Sequence, residues 1–525
     1  MKTKLLLIFL IFVTIQINAQ QQIYDFKSTP SVFKTFNDKI IFYGNQEDTG
    51  RELWQSDGTS TNTRLLKDIY PGTEPSVKSG SAILNGKFYF IARDASSEGE
   101  IWQTDGTESG TTKVTNFING KTYKLTVVGN YIFFLVGLDS NHLQVWKTDG
   151  TTEGTVLIKD ILNIWNNSTF EGKCNDTFIF TIQPASTMNS KVWRSDGTLG
   201  GTYPITSEMD GNGSDAGGTT GLTQYIVHNN KLYFVSRYSL YETDGTLQNT
   251  KTIGNVWNAQ QNVVQHSDVI EANNSLYFMF YSSDINKLSI FKFDDVAKNV
   301  SEVYTNTSNR YFSPSNFSKT DNSLLFCASN ATGGTSLLSL GLNDYSVTDL
   351  KELAKNDLQR PDFFFVSSYD AATIYKIKQD EYFITSGVDE KNLRKGWIVN
   401  NNLQAIENIS ALDNVVQAIV YKENLYYGKD KKFWKYANHL GLGSIGDKST
   451  LAFYPNPSTN FINLQVENNN QIDNIQIFDL NGQLVTNESD FSNNKIDVSK
   501  LNQGTYILKA KINGAIISKK IIIKQ

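Results

Sequence analysis

Short apolar, aromatic-rich runs recur along the first four-fifths of the chain, each closed off by polar turn residues. IIFYG begins at Ile40, FYFIA at Phe88, YIFFLV at Tyr131, TFIF at Thr177 and LYFVS at Leu232. Each is followed by a run centred on one aromatic residue: Trp54, Trp102, Trp146, Trp193 and Tyr241, at spacings of 48, 44, 47 and 48. A Ser/Thr-Asp-Gly-Thr tetrad comes next, then an alternating segment such as Arg64-Leu65-Leu66-Lys67. A third apolar run precedes each unit, as in SAIL at Ser81 and LTVV at Leu125. Runs this short, rich in β-branched and aromatic residues and bounded by Asn and Gly, predict strands.

One unit therefore reads as four short strands, a to d. Asn85-Gly86, Gly129-Asn130 and Asn229-Asn230 favour positive φ and predict two-residue hairpins between a and b. Four strands in a repeat of this length is the period of a β-propeller blade. A single small sheet cannot bury both its faces, and stacking sheets around an axis covers them. Weaker b–c pairs continue at Ser275, Ser323, Glu381 and Asn424, with aromatic residues Phe291, Trp397 and Trp434 in three of the second members. The expected fold is all-β: a large propeller of four-stranded blades over residues 20–438, nine by this count although seven or eight are commoner. The last pair lacks a d strand. Ile23-Tyr24-Asp25-Phe26 echoes Asp68-Ile69-Tyr70, so the N-terminal strand is expected to complete the last blade and close the ring.

The tetrads at Asp57, Asp105, Asp149, Asp196 and Asp244 have simple turn mechanics. The carboxylate accepts backbone N–H groups within its own turn, and the glycine supplies positive φ. A calcium role is the alternative. One Asp per unit supplies too few oxygens for six to eight ligands. The repeated Trp is read as packing between blades.

Composition narrows the function classes. The chain has 525 residues with 48 Lys+Arg, 53 Asp+Glu, four His and two Cys, for a net charge of −5. Nothing there favours nucleic acid. A His- or Cys-built metal cluster and a disulfide framework are close to excluded, and no cofactor is expected. Cys174 and Cys327 are read as buried free thiols. The charge is modular: +2 before residue 20, −8 over 20–448 and +1 beyond.

Lys2 and Lys4, the apolar stretch from Leu5 to Ile15 and the small residue Ala19 have the layout of a signal peptide, residues 1–19. That stretch is too short for a permanent span, no later segment is long and apolar enough for a transmembrane helix, and no Cys follows for a lipid anchor. Residues 439–450, HLGLGSIGDKST from His439, read as a linker over a Gly/Ser-rich stretch. Residues 451–525 then change pattern. Alternation around Ile475 and Leu508, with Asn481-Gly482 and Asn513-Gly514 turns, predicts an antiparallel Ig-like sandwich of about seven short strands.

Two resemblances follow from these residues. Tyr454-Pro455-Asn456-Pro457, Ile477-Phe478-Asp479-Leu480-Asn481-Gly482, Leu501-Asn502-Gln503-Gly504-Thr505-Tyr506 and the basic end at Lys519, Lys520 and Lys524 closely resemble the type A C-terminal sorting domain of the type IX secretion system. That implies export across both membranes, the type IX machinery as partner, and a secreted or outer-membrane cell-surface location. The repeats from Glu52 to about Asn255 resemble exported bacterial proteins with tandem ELWxSDGT-type units, which implies a propeller-like array and no enzymatic activity that can be carried over.

Antiparallel order puts the a–b and c–d turns on one side of the array and the b–c and d–a loops on the other. The second side holds the variable loops, where function concentrates. Its candidate binding residues are Trp165, Trp257, Asp210, Asp215 and Tyr311. Exposed rings with Asn and Asp suit a glycan or a surface protein. Three roles stand: a non-enzymatic binding or adhesion module, a polysaccharide hydrolase using acids such as Asp48, Asp94, Asp139, Asp210 or Asp215, and a structural surface component. The first is favoured. No GxSxG-type nucleophile motif occurs.

Overall fold

The computed structural model describes residues 20–436 and 451–524, apart from 118–119, 166–170, 187–190, 207–224, 237–238, 256–262, 267–268, 283–286, 308–316, 330–334, 355–372, 379–380, 389–393, 401–402, 404, 455–457, 467–471, 480–482, 489–494 and 513–514. Residues 20–436 form one compact unit and the C-terminal residues another.

The first unit is a succession of antiparallel sheets. After β1 (Gln20–Asp25), the first blade is β2 (Ser28–Phe36), β3 (Lys39–Gln46), β4 (Gly50–Ser56) and β5 (Arg64–Lys67). The second is β6 (Val77–Leu84), β7 (Lys87–Asp94), β8 (Ser97–Thr104) and β9 (Thr112–Lys113). The third is β10 (Lys121–Val128), β11 (Tyr131–Asp139), β12 (His142–Thr148) and β13 (Val156–Leu162). Five more sheets follow, with second strands Thr177–Pro184, Lys231–Ser236, Ser275–Ser282, Ser323–Ser329 and Glu381–Val388. The last joins Ala418–Tyr421, Asn424–Lys429 and Lys432–Tyr436 to β1. The described residues thus hold nine blades, and the N-terminal strand closes the last one.

The register explains the sequence pattern. The b-strand aromatic stands directly across from the c-strand aromatic in blade after blade: Phe42 pairs with Trp54, Phe90 with Trp102, Phe134 with Trp146, Phe180 with Trp193 and Tyr427 with Trp434. Successive side chains point to opposite faces. Ile40, Phe42 and Trp54 therefore pack against Tyr426 and Phe433 of the last blade, while Ile41, Tyr43 and Leu53 pack against Phe88 and Phe90 of the second. Both faces are buried, which is why the b strands read as continuous apolar runs rather than alternating ones. Trp102, Trp146 and Trp193 each lie in the interface with the preceding blade, as Trp54 does.

The hairpins form as the turn residues require. Asn85 (φ 49°), Asn229 (φ 48°) and Asn230 (φ 60°) are all left-handed. In each tetrad the Asp Oδ1 accepts the N–H of the following Thr at 2.8–3.0 Å. The preceding Ser or Thr hydroxyl accepts the glycine N–H and is bonded to a second Thr seven positions on, as in Thr148 with Gly150 and Thr155. The glycine has a further duty. A Cβ on Gly150 would stand 2.0 Å from Tyr89 Oη of the preceding blade, and one on Gly58 would stand 2.2 Å from Tyr426 Oη. The turn is thus also an inter-blade contact. Lysines of the d strands reinforce it: Lys67 Nζ donates to the Thr111 carbonyl at 3.0 Å and Lys159 Nζ to the Thr202 carbonyl at 2.7 Å, each in the next blade.

Cys174 and Cys327 are buried free thiols. The described residues of the C-terminal unit hold seven strands in two sheets. One is Leu451–Tyr454, Phe461–Val466 and Lys495–Asp497; the other orders Leu484–Glu488, Ile472–Phe478, Gly504–Ile512 and Ala515–Ile523. Ile462, Leu464 and Ile496 of the first sheet share one core with Ile475, Ile477, Leu508 and Ile521 of the second, the packing of a β-sandwich. Among the described residues no helix is long and apolar enough to cross a membrane, and no group of three His, Cys, Asp or Glu is placed to hold a metal ion.

Candidate functional site

A cleft of about 750 Å³ opens on the b–c and d–a side, between the second and third blades. Its walls come from the ends of β7, β8 and β11, from the first strands β6 and β10, and from the chain that enters each blade. Small residues keep it open: Ala95, Ser96 and Ser97 in the β7–β8 turn, Gly120 before β10, and Gly137 with Ser140 at the end of β11. A Cβ on Gly120 would meet Val136 Cγ1 at 2.7 Å. Between the first and second blades the corresponding turn is covered. Gly50 (φ 66°) lets the backbone of Thr73 and Glu74 lie directly on it, where a Cβ would be 2.4 Å from the Glu74 carbonyl.

Three aromatic rings line the cleft: Tyr70, Phe117 and Tyr123. All are half-buried. Phe117 is fixed edge-on against Trp146 at 4.9 Å between centroids. Arg93 stands over the Tyr70 ring at 5.2 Å and Lys121 over Tyr123 at 5.5 Å.

Three ion pairs lie in or beside the cleft. Lys78 bonds Glu98 at 3.1 Å, Arg93 bonds Glu74 at 2.6 Å and Lys113 bonds Asp94 at 3.0 Å. Asp94 Oδ1 also accepts the Ser96 N–H (2.9 Å), the Ser96 hydroxyl (2.7 Å) and the Ser97 hydroxyl (3.0 Å). Partial burial opposes its charge, but the hydrogen bonds of Ser96, Lys113 and Ser97 outweigh that and hold the carboxyl well below the usual carboxylate range. The Lys78 hydrogen bond and charge lower Glu98 in the same direction. Asp139 Oδ1 caps the Asn141 N–H at 2.7 Å.

Beneath the loops sit two buried acids that sequence reasoning passed over. Glu100 accepts the Phe117 N–H at 2.6 Å and the Thr115 hydroxyl at 2.5 Å, which fixes the segment carrying Phe117 into the cleft. Glu52, at the equivalent position of the first blade, accepts the Ser76 hydroxyl and the Tyr70 N–H. Burial raises both carboxyls, Glu52 to about 7. Their signal was the Glu two places before the repeated Trp in ELW and EIW.

Of the binding residues expected from sequence, Trp257, Asp210, Asp215 and Tyr311 lie outside the described residues. Trp165 is in a strand rather than an irregular loop: Ile164–Trp165 pairs with Pro184 and Gln183 as the outset of the fourth blade. Of the acids expected from sequence, Asp94 and Asp139 come together in the cleft, while Asp48 is not among its lining residues. In the C-terminal unit Tyr454 pairs through its backbone with Asn463, and Pro455, Asn456, Pro457 and Gly482 lie outside the described residues. Gly504 starts its strand, and the buried Tyr506 donates its hydroxyl to the Asn502 carbonyl at 2.9 Å, a tyrosine corner.

Comparison with known proteins gives the following. A prolyl endopeptidase structure has a TM-score of 0.38 at 11% identity over 73% of this chain; the chain spans 55% of its length. The oligogalacturonate lyase of Vibrio parahaemolyticus has a TM-score of 0.39 at 11% identity, over 73% of this chain and 96% of that one. The WD40 domain of SCAP from fission yeast has 0.38 at 11%, over 79% and 97%. No curated protein is similar to the chain in sequence. Residues 452–524 match the secretion system C-terminal sorting domain, so this β-propeller carries the tail that sends its cargo through type IX secretion to the cell surface or the extracellular space.

Proposed function

We propose that the propeller is a non-enzymatic binding module, presented outside the cell, whose ligand sits on the b–c and d–a side in the cleft between the second and third blades. The observation that carries this reading is the pinning of Asp94. Three hydroxyl or amide donors and the Lys113 ammonium keep it ionised, so it has no proton to deliver as a general acid. The cleft offers fixed acceptors, fixed donors and half-buried rings, the composition of a recognition site. The resemblance of the repeats to exported ELWxSDGT-type proteins supports the same reading, since that family brings no catalytic residues to this chain.

The test incubates the full chain with panels of polysaccharides, oligosaccharides and surface proteins. Retention and product release are read together. Saturable retention without turnover, weakened by Tyr123→Ala, is the expected outcome. Release of new reducing ends or peptide termini by the purified chain would refute it.

A further inference from the structure

The cleft also carries information on what it takes. Counted with their bonded partners, its ionised groups cancel: the three cations Lys78, Lys113 and Lys121 stand against the three carboxylates Asp94, Glu98 and Asp139. Two of these cations, Lys78 and Lys113, are already committed to a carboxylate at 3.1 Å or less. A charged ligand would have to compete with the existing ion pairs at Lys78 and Asp94 to gain one of its own.

What remains on offer is neutral and directional. Glu98 is largely exposed and bonded only through Lys78, so its carboxylate can accept hydrogen bonds from ligand hydroxyls, which are the stronger, charge-assisted kind. The Ser96 and Ser97 hydroxyls already donate to Asp94, so their oxygens are left to accept. Tyr70, Phe117 and Tyr123 supply ring surface. A ligand that matches this carries many hydroxyls, apolar C–H faces and no charge. Its volume falls within the several hundred Å³ typical of small-molecule sites, room for an oligosaccharide of a few rings.

We infer that the cleft between the second and third blades binds an uncharged oligosaccharide, its hydroxyls on Glu98 and on the Ser96 and Ser97 oxygens and its ring faces on Tyr70 and Tyr123. This rests on the binding-module reading above and adds the ligand class.

The experiment is calorimetric titration of the full chain with neutral gluco-, manno- and xylo-oligosaccharides, with uronate oligosaccharides, and with short peptides, at low and at high NaCl. At least one neutral series is expected to bind, with an affinity that changes less than about twofold between the salt conditions. Tyr123→Ala and Tyr70→Ala are each expected to weaken it about tenfold, while circular dichroism and Tm confirm that the variants fold. Glu98→Gln leaves Lys78 unpaired and should give the uronate series an affinity that the parent chain lacks. Three results would overturn the inference: a parent chain that prefers uronates and loses them in salt, one that prefers peptides, or one that binds no saccharide. The first two leave a binding module with a different ligand, whereas turnover in the earlier assay would remove the module reading itself.

Discussion

Lys432 donates a 2.9 Å hydrogen bond to the side chain of Gln22, 410 positions earlier in the chain. It lies on the seam where β1 pairs with Lys432–Tyr436, and Ile23 on the same strand is 2% exposed beside Phe433. Ring closure therefore depends on a strand that would otherwise leave an open edge on the last blade. Ile23→Asp should destabilise the array by about 3 kcal/mol, from lost burial plus an unpaired buried charge. Thermal unfolding and limited proteolysis, with new cleavage near both ends of the array, would check it.

The tetrads predict an order among substitutions. Asp149→Ala removes bonds to the Thr151 N–H and hydroxyl on an exposed turn and should cost about 1 kcal/mol. Gly150→Ala must tolerate a φ of 98° and a Cβ on Tyr89 Oη, and should cost about 2 kcal/mol or more. Urea unfolding of the two variants ranks them. Equal losses would mean that the glycine matters only for local turn geometry.

Glu52 makes stability fall with rising pH. Burial raises its carboxyl to about 7 in the folded chain, above the value near 4.3 of an unfolded one. The folded state thus holds the proton more tightly, and that contribution is full below about pH 4 and lost as pH rises to about 7. Glu52→Gln, which cannot ionise, should match the parent near pH 4 and exceed it in Tm above about pH 7. The opposite trend would show that the Ser76 and Tyr70 bonds stabilise the charged form.

Asp94 and the tetrad aspartates act with the opposite sign. Hydrogen bonds hold Asp94, Asp105 and Asp149 below the usual range. Their contribution is present above about pH 4 and fades as pH falls through the lowered values. Asp94→Asn should lower stability on the neutral side and flatten the acid side of the profile measured by urea unfolding between about pH 2 and pH 5, so that the variant and the parent converge as pH falls.

In the sorting domain, Tyr506→Phe removes the bond to the Asn502 carbonyl and should cost about 1 kcal/mol. Export should fall with the sandwich's stability. Cell fractionation of the variant beside a Leu508→Ala variant, which empties the shared core, tests whether the machinery reads the folded domain.

The sequence by itself determined the blade. Asn-Gly hairpins, the Asp-Gly-Thr tetrads and the Phe–Trp pairing are local, and local turn chemistry together with a period of two sets four strands and their register. It also marked the sorting tail and the closing strand, because both are written as contiguous motifs. The cleft was decided only by the tertiary structure. Lys113 reaches Asp94 across 19 positions, Glu100 steers the backbone of Phe117 across 17, and Tyr70 arrives from the preceding blade. No spacing rule joins such residues. They meet because neighbouring blades differ slightly in their entering loops, and whether those loops cover a turn, as at Gly50, or leave it open depends on how whole sheets pack.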